Sequence, residues 1–195
     1  NSDLGPVNPV AELLLQYDEG RTYRSVGDIE AEVTLPWVRA LKGTVRLGYD
    51  IADASREVFR PSFLFSETRN DSLAGYTSHR NDSELTRLFD AYLNYGTRLT
   101  SSADIDFMAG YSYEDWEGRY PFFEAWGLST DVLGPNFVPS PLDERTVMGA
   151  DGEKLISFFG RTNINLLERY LLTLSIRRDG SAKFGPVESY GTFPA

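Results

Sequence analysis

The chain has 195 residues, 41% of them hydrophobic, a formal net charge of -10, no cysteine and a single histidine, His79. The absent thiols exclude disulfides and thiolate metal sites, the lone imidazole has no second histidine to share a metal, and the acidic balance argues against a nucleic-acid partner. No run approaches the roughly 18–20 apolar residues of a membrane helix, a test that is blind to strands in which only alternate residues are apolar.

Six segments alternate with period two. In residues 26–35, Ile29, Ala31, Val33 and Leu35 share one face; Asp28, Glu30, Glu32 and Thr34 share the other. After the break "PWVRA", Leu41, Val45, Leu47 and Tyr49 oppose Lys42, Thr44, Arg46 and Asp50. Over 88–97, Phe89, Ala91, Leu93 and Tyr95 alternate with Asp90, Tyr92 and Asn94. After "RLTSS", Ile105, Phe107, Ala109, Tyr111 and Tyr113 oppose Asp104, Asp106, Met108, Ser112 and Glu114. The fifth segment, 155–166, sets Ile156, Phe158, Ile164 and Leu166 against Ser157, Arg161, Asn163 and Asn165. The sixth sets Tyr170, Leu172, Leu174 and Ile176 against Thr173, Ser175 and Arg177.

Short breaks follow the odd-numbered segments, at 36–40, 98–102 and 167–169, and long polar stretches follow the second and fourth, at about 51–85 and 115–153. Compact soluble domains seldom use such long structureless loops, whereas outer-membrane barrels have short periplasmic turns and long extracellular loops. Trp37, Tyr95 and Tyr170 fall near one predicted interface, Tyr49 and Tyr113 near the other, as two aromatic girdles would. The predicted fold is therefore all-β: an antiparallel up-and-down meander forming part of the wall of a large transmembrane β-barrel. Within it, the break at 36–40 predicts Glu30 opposite Arg46 on the polar face.

No catalytic constellation is visible, and no cofactor is implied. Asp28, Glu30 and Glu32, like Asp104 and Asp106, recur at strand period and read as a hydrated lumen face. "RNDS", at 69–72 and 80–83, reads as turn chemistry, with a cation site at Asp71 and Asp82 as the sharper alternative; His79 beside it reads as a loop histidine. "GADGE" at 149–153 lacks the lysine and helix of a phosphate loop. The most suggestive stretch is 114–127, "EDWEGRYPFFEAWG", predicted to lie in an extracellular loop. Its Trp116, Tyr120, Phe122, Phe123 and Trp126 are candidates for contact with a substrate or a lid protein.

The segment 158–186, "FFGRTNINLLERYLLTLSIRRDGSAKFGP", resembles a signature of SusC/RagA-type TonB-dependent outer-membrane transporters, in which a "DRYLLT" turn leads into "RRDGSSRFG" and "YGxFPS". The matching residues are Arg169 to Thr173, Arg177 to Ser181, Lys183 to Gly185 and "YGTFPA" at 190–195. "NPVAELL" at 8–14, "LKGTVRLGYD" at 41–50, "AGYSYE" at 109–114 and "STDVLG" at 129–134 fit in the same order. Glu168 stands where the family has Asp, and Asp179-Gly180 is expected to form a turn.

The resemblance implies that residues 1–195 are a fragment of one barrel domain of about 22 strands around a plugged lumen. The first residue is Asn1 and no leader pattern opens the chain, so both ends read as cuts through a longer sequence. The implied function is TonB-dependent import of oligosaccharides or peptides across the bacterial outer membrane, without enzymatic activity. The implied partners are the remaining barrel and plug, a SusD-like surface lipoprotein, the TonB system acting through the plug, and the bilayer. The alternative is a surface-exposed carbohydrate-binding β-sandwich, which needs a second apolar layer that these segments do not supply.

Overall fold

The computed structural model describes residues 8–68, 73–136, 140–181, 183 and 190–195. Helix α1 (Pro9–Leu15) opens them: the Asn8 side chain accepts the Val10 N–H at 3.0 Å, and Pro9, whose missing N–H would be unpaired there, begins the first turn. Seven strands follow: β1 (Tyr17–Thr34), β2 (Leu41–Arg60), β3 (Tyr76–Thr100), β4 (Ala103–Trp126), β5 (Asp143–Leu166), β6 (Tyr170–Ser181) and β7 (Tyr190–Pro194). A single turn of helix, α2 (Phe65–Thr68), lies between β2 and β3. The strands form one unclosed antiparallel sheet in chain order, β1 to β7. The described residues contain no second sheet, which a β-sandwich requires.

All six expected strands are present, but they are longer than their alternation. β3 has 25 residues and β4 and β5 have 24 each, where about 9–11 tilted residues cross a hydrocarbon layer. The long links shrink accordingly. His79 and the second "RNDS" lie inside β3, where Arg80 and Asp82 pair at 2.8 Å, and "GADGE" lies inside β5. The first "RNDS", and with it Asp71, falls outside the described residues.

The chain gathers into two units: Asn1–Arg24, Ala52–Glu84 and Gly118–Asp151 in one, Ser25–Ile51, Leu85–Glu117 and Gly152–Ala195 in the other. In the second unit the expected parity holds. Phe89, Tyr111 and Phe158 meet ring to ring across three strands, with centroids 6.1 and 5.3 Å apart, and Leu93 covers Gly43 on that same face. Ile164 opposes Leu172 and Thr162 opposes Leu174. The other face is a polar ladder: Lys42 on Glu32 and Arg46 on Asp28 at 3.0 Å, Ser112 on Asp90 at 2.6 Å, Arg98 on Asp104 at 2.9 Å, Thr173 on Asn163 at 3.0 Å and Arg177 on Ser157 at 3.0 Å. Ile29, Val33, Leu47, Phe158, Leu172 and Leu174 are all more than half exposed. This is an apolar face that no described residue covers.

Two details differ from expectation. Gly48 lies against Asp28, which sets Arg46 opposite Glu30 on the polar face as expected, but Arg46 bonds Asp28 diagonally rather than straight across, as long side chains do on a ladder. Asp179-Gly180 makes no turn. Both continue β6, opposite Ser157 and Ile156, and Gly180 is small because a Cβ there would run into the Tyr190 ring on β7. β7 itself, from "YGTFP", lies beyond the six alternating segments.

The β5–β6 turn places both Leu167 and Glu168 at positive φ, 57° and 54°, closed by Arg169 N–H to the Leu166 carbonyl at 3.1 Å. That is the mirror-image two-residue hairpin turn, which matches strand twist and favours Asn and Gly. Glu168→Gly is therefore expected to raise stability by about 0.5–1 kcal/mol, read as a higher urea midpoint for the full-length protein. An unchanged or lower midpoint would mean the turn carries no left-handed strain.

In the first unit, Phe59, Ala125 and Leu128 form a small apolar cluster with Tyr17 and Phe123 against it. Side-chain latches fasten its loops: Asp131 accepts the Ser62 N–H at 2.9 Å and its hydroxyl at 2.5 Å, and Glu12 of α1 accepts both from Ser66 at 3.3 and 3.0 Å. Asp18 takes Arg56 in two parallel bonds of 2.8 and 2.7 Å.

Candidate functional site

The five candidate aromatics sit on a strand, not in a loop, because β4 runs on to Trp126. Strand geometry places Trp116, Tyr120, Phe122 and Trp126 on the parity of Ser112, with Phe123 on the other. Trp116 belongs to the second unit and the remaining four to the first. Phe123 packs against the Phe59 cluster and stacks on His79 at 6.2 Å, so that pair pins strands together.

On the opposite parity the first unit carries a row of rings and charges. Trp126 lies 5.8 Å from Tyr76, tilted by 48°, and the Arg60 guanidinium sits 5.2 Å above the Tyr76 ring. The Tyr76 hydroxyl donates to Glu124 at 3.4 Å, and Arg145 lies 3.7 Å from that carboxylate. Tyr120 donates to Glu84 at 3.0 Å; desolvation and then this bond push its hydroxyl above its ordinary pKa. Phe122 is half-buried on the same parity as Tyr120. Rings edged by carboxylates and guanidiniums can stack on a sugar or peptide group and bond its polar edge.

Tyr76 and Arg60 went unnoticed in the sequence because 51–85 reads as loop, and Glu124 because 115–153 does. A signal was available. Gly75-Tyr76 and Trp126-Gly127 mirror each other across β3 and β4: both glycines take positive φ, 88° and 65°, and the Gly127 N–H bonds the Gly75 carbonyl at 3.0 Å.

Beside this row, Glu67 is nearly buried, 3.6 Å from Arg60. Burial raises its pKa above 4.5; Arg60 opposes that shift and Glu12 adds to it. A raised native carboxyl binds its proton more tightly than the unfolded chain does. The resulting stability is complete below the ordinary value and is lost as pH rises through the native one. Cleavage around residues 61–68 by an acid-tolerant protease should slow from pH 7 to pH 5, and Glu67→Gln should remove that dependence. Equal pH dependence in both proteins would contradict the assignment.

The polar face of the second unit carries a cavity of about 710 Å³ lined by Arg98, Asp104, Asp106, Asn163, Asn165 and Thr173, among others. The Asn165 Oδ1 is buried without a partner. Among the described residues no cluster of three or more His, Asp or Glu is placed to hold a metal, and no helix is long and apolar enough to cross a membrane.

This architecture defines a class: a stretch of wall from a large antiparallel β-barrel, unclosed and apolar on one face. The comparisons specify the type. The chain is 27% identical over 190 residues to TonB-dependent receptor SusC of Bacteroides thetaiotaomicron, and 26% and 25% identical to TonB-dependent receptors P39 and P26 of Formosa agariphila. These matches cover 96–97% of this chain and 18–19% of each relative, so the chain spans about a fifth of their length. Its fold matches the RagAB peptide transporter with a TM-score of 0.78, and an open-open state of the RagAB peptide importer with 0.80, at 19% and 18% identity. Each covers 95% of this chain and 20% of the other. No protein-family model matches. The SusC/RagA-type resemblance thus extends over nearly the whole chain, and its relatives are receptors and transporters, not enzymes.

Proposed function

We propose that the chain is a section of the barrel domain of an outer-membrane TonB-dependent importer, facing lipid with one side of its sheet and a hydrated lumen with the other. The observation that carries this reading is the division of faces in the second unit. Phe89, Tyr111, Phe158, Leu172 and Leu174 line one side while ion pairs and hydroxyl bonds line the other. A protein in water does not leave so broad an apolar face uncovered. The polar cavity and the partnerless Asn165 oxygen fit a lumen filled by the plug, through which TonB would supply energy.

Tyr120, Phe122 and Trp126, joined by Tyr76, contact the imported oligosaccharide or peptide, or a SusD-like lipoprotein lid. In the full-length transporter, Tyr76→Ala with Tyr120→Ala and Trp126→Ala should lower uptake by about one to three orders of magnitude. Each aromatic contact is worth about 0.5–1.5 kcal/mol beyond burial, and about 1.4 kcal/mol is a decade. Uptake of labelled oligosaccharide and of labelled peptide, with pull-down of the lid, separates substrate from partner. Unchanged values in all three assays, with the barrel folded, would leave the rings a purely structural role.

A further inference from the structure

The "RRDGSAK" stretch at 177–183 supplies two residues of a cluster that the row of rings in the first unit does not include. Its hub is Ser181, buried at the end of β6. The Ser181 hydroxyl donates to Glu153 Oε1 at 3.0 Å and accepts the Lys183 N–H at 3.1 Å. Lys183 Nζ lies 2.9 Å from Glu153 Oε2 and 5.9 Å from the centre of the Trp116 ring. Both carboxylate oxygens are thus held, which fixes Glu153 in one orientation. All four residues belong to the second unit. Trp116 shares the parity of Ser112 on β4, and Glu153 that of Ser157 on β5, so the cluster stands on the polar face. A cleft of about 340 Å³ runs beside it, lined by Trp116, Glu153, Ser181, Lys183 and their immediate chain neighbours. That volume is at the lower end for a small-molecule site. Lys183 keeps 52% and Glu153 36% of its side chain exposed, and Trp116 is half-buried, so a ligand in the cleft reaches all three.

The chemistry of the lining narrows the ligand. One ammonium faces one carboxylate, so the cluster is neutral and selects neither a free cation nor a free anion. An acceptor and a donor side by side suit neighbouring hydroxyls, each of which both donates and accepts. The indole adds a flat face of negative potential, on which the C–H side of a sugar ring can stack. A peptide gains less here. Extended peptides bind sheets by pairing their backbone along an exposed edge, and β4 and β5 are interior strands with neighbours on both sides.

We infer that the Trp116 cleft is a saccharide subsite, with one sugar ring stacked on Trp116 and its hydroxyls bonded to Glu153 and Lys183, Ser181 acting as the positioning residue. This rests on the proposed function, in which the polar face lines the lumen. Trp116 stands three residues past Tyr113, about 10 Å farther toward the outer mouth. The subsite therefore names the imported substrate as an oligosaccharide.

The test titrates the detergent-solubilised full-length transporter with maltohexaose, cellohexaose and xylohexaose. At least one should bind. Trp116→Ala should weaken that binding by about three- to tenfold, the factor of one aromatic contact. Glu153→Gln should weaken it by about ten- to a hundredfold, the factor of one hydrogen bond to a charged group. Glu153→Gln keeps the shape of the side chain, so it reports even where Trp116→Ala folds poorly. Binding unchanged in Glu153→Gln overturns the inference, as does a failure of all three sugars to bind. Uptake by whole cells separates this from the proposed function. TonB-dependent uptake of a labelled hexapeptide and of none of the sugars refutes the saccharide subsite alone, whereas uptake of neither class refutes the importer reading itself.

Discussion

An arginine at Leu174 is expected to destabilise the full-length barrel by about 2–4 kcal/mol, while one at Thr173, a single residue away, changes stability by less than about 1 kcal/mol. Leu174 lies on the apolar face opposite Thr162 and is more than half exposed. Water would accept an arginine there at almost no penalty; hydrocarbon at the bilayer midplane imposes the larger figure. Thr173 lies on the other face, opposite Asn163, which it bonds at 3.0 Å; Asn163 in turn reaches toward Asp106 at 3.5 Å. Thr173→Arg loses one neutral hydrogen bond and gains a carboxylate neighbour, terms of similar size. Urea-driven unfolding from lipid vesicles measures both variants. Two equal losses would place both faces in the same solvent and end the lipid-facing interpretation.

Much of the second unit was legible because solvent writes period two into it. One parity of each strand meets an apolar medium and the other a polar one, so Leu172 and Leu174 differ in kind from Thr173 and Ser175. The first unit lacks that contrast. From Thr77 to Glu84, β3 reads Thr-Ser-His-Arg-Asn-Asp-Ser-Glu, polar on both parities, although each residue is in the ladder. Alternation reports a difference in residue type between two faces and is silent where polar residues fill both, even though Thr77 and Ser78 are buried. Hence the outer 10–12 residues of β2, β3, β4 and β5 read as loop, His79 was taken from its stack on Phe123, and the aromatics of β4 seemed to lie in a loop. Their clustering was visible in sequence, whereas their division between two parities depended on knowing that the strand continues. Gly180 misled for another reason: glycine marks a turn or a close approach, and only the position of Tyr190 decides which.

Close approach also constrains Gly110. It lies on the polar face of β4, and a Cβ there would stand 2.5 Å from the Phe159 ring of β5 and 2.7 Å from the Cβ of Tyr92 on β3. Directly opposed Cβ atoms in an antiparallel pair normally stay about 4.5–5.5 Å apart. The ring of Phe159 can rotate away, but the Tyr92 Cβ moves only with its backbone, so β3 and β4 must part. Overpacking of this kind typically destabilises by about 1–3 kcal/mol, and Gly110→Val should exceed Gly110→Ala because its branches also meet the ring. Adding Phe159→Ala should recover part of the loss and never all of it, since the Tyr92 contact persists. The urea midpoints of the two single variants and of Gly110→Ala with Phe159→Ala measure this in the full-length protein. Complete recovery in the double variant would show that the ring alone fills the space over Gly110, and that β3 and β4 are free to separate there.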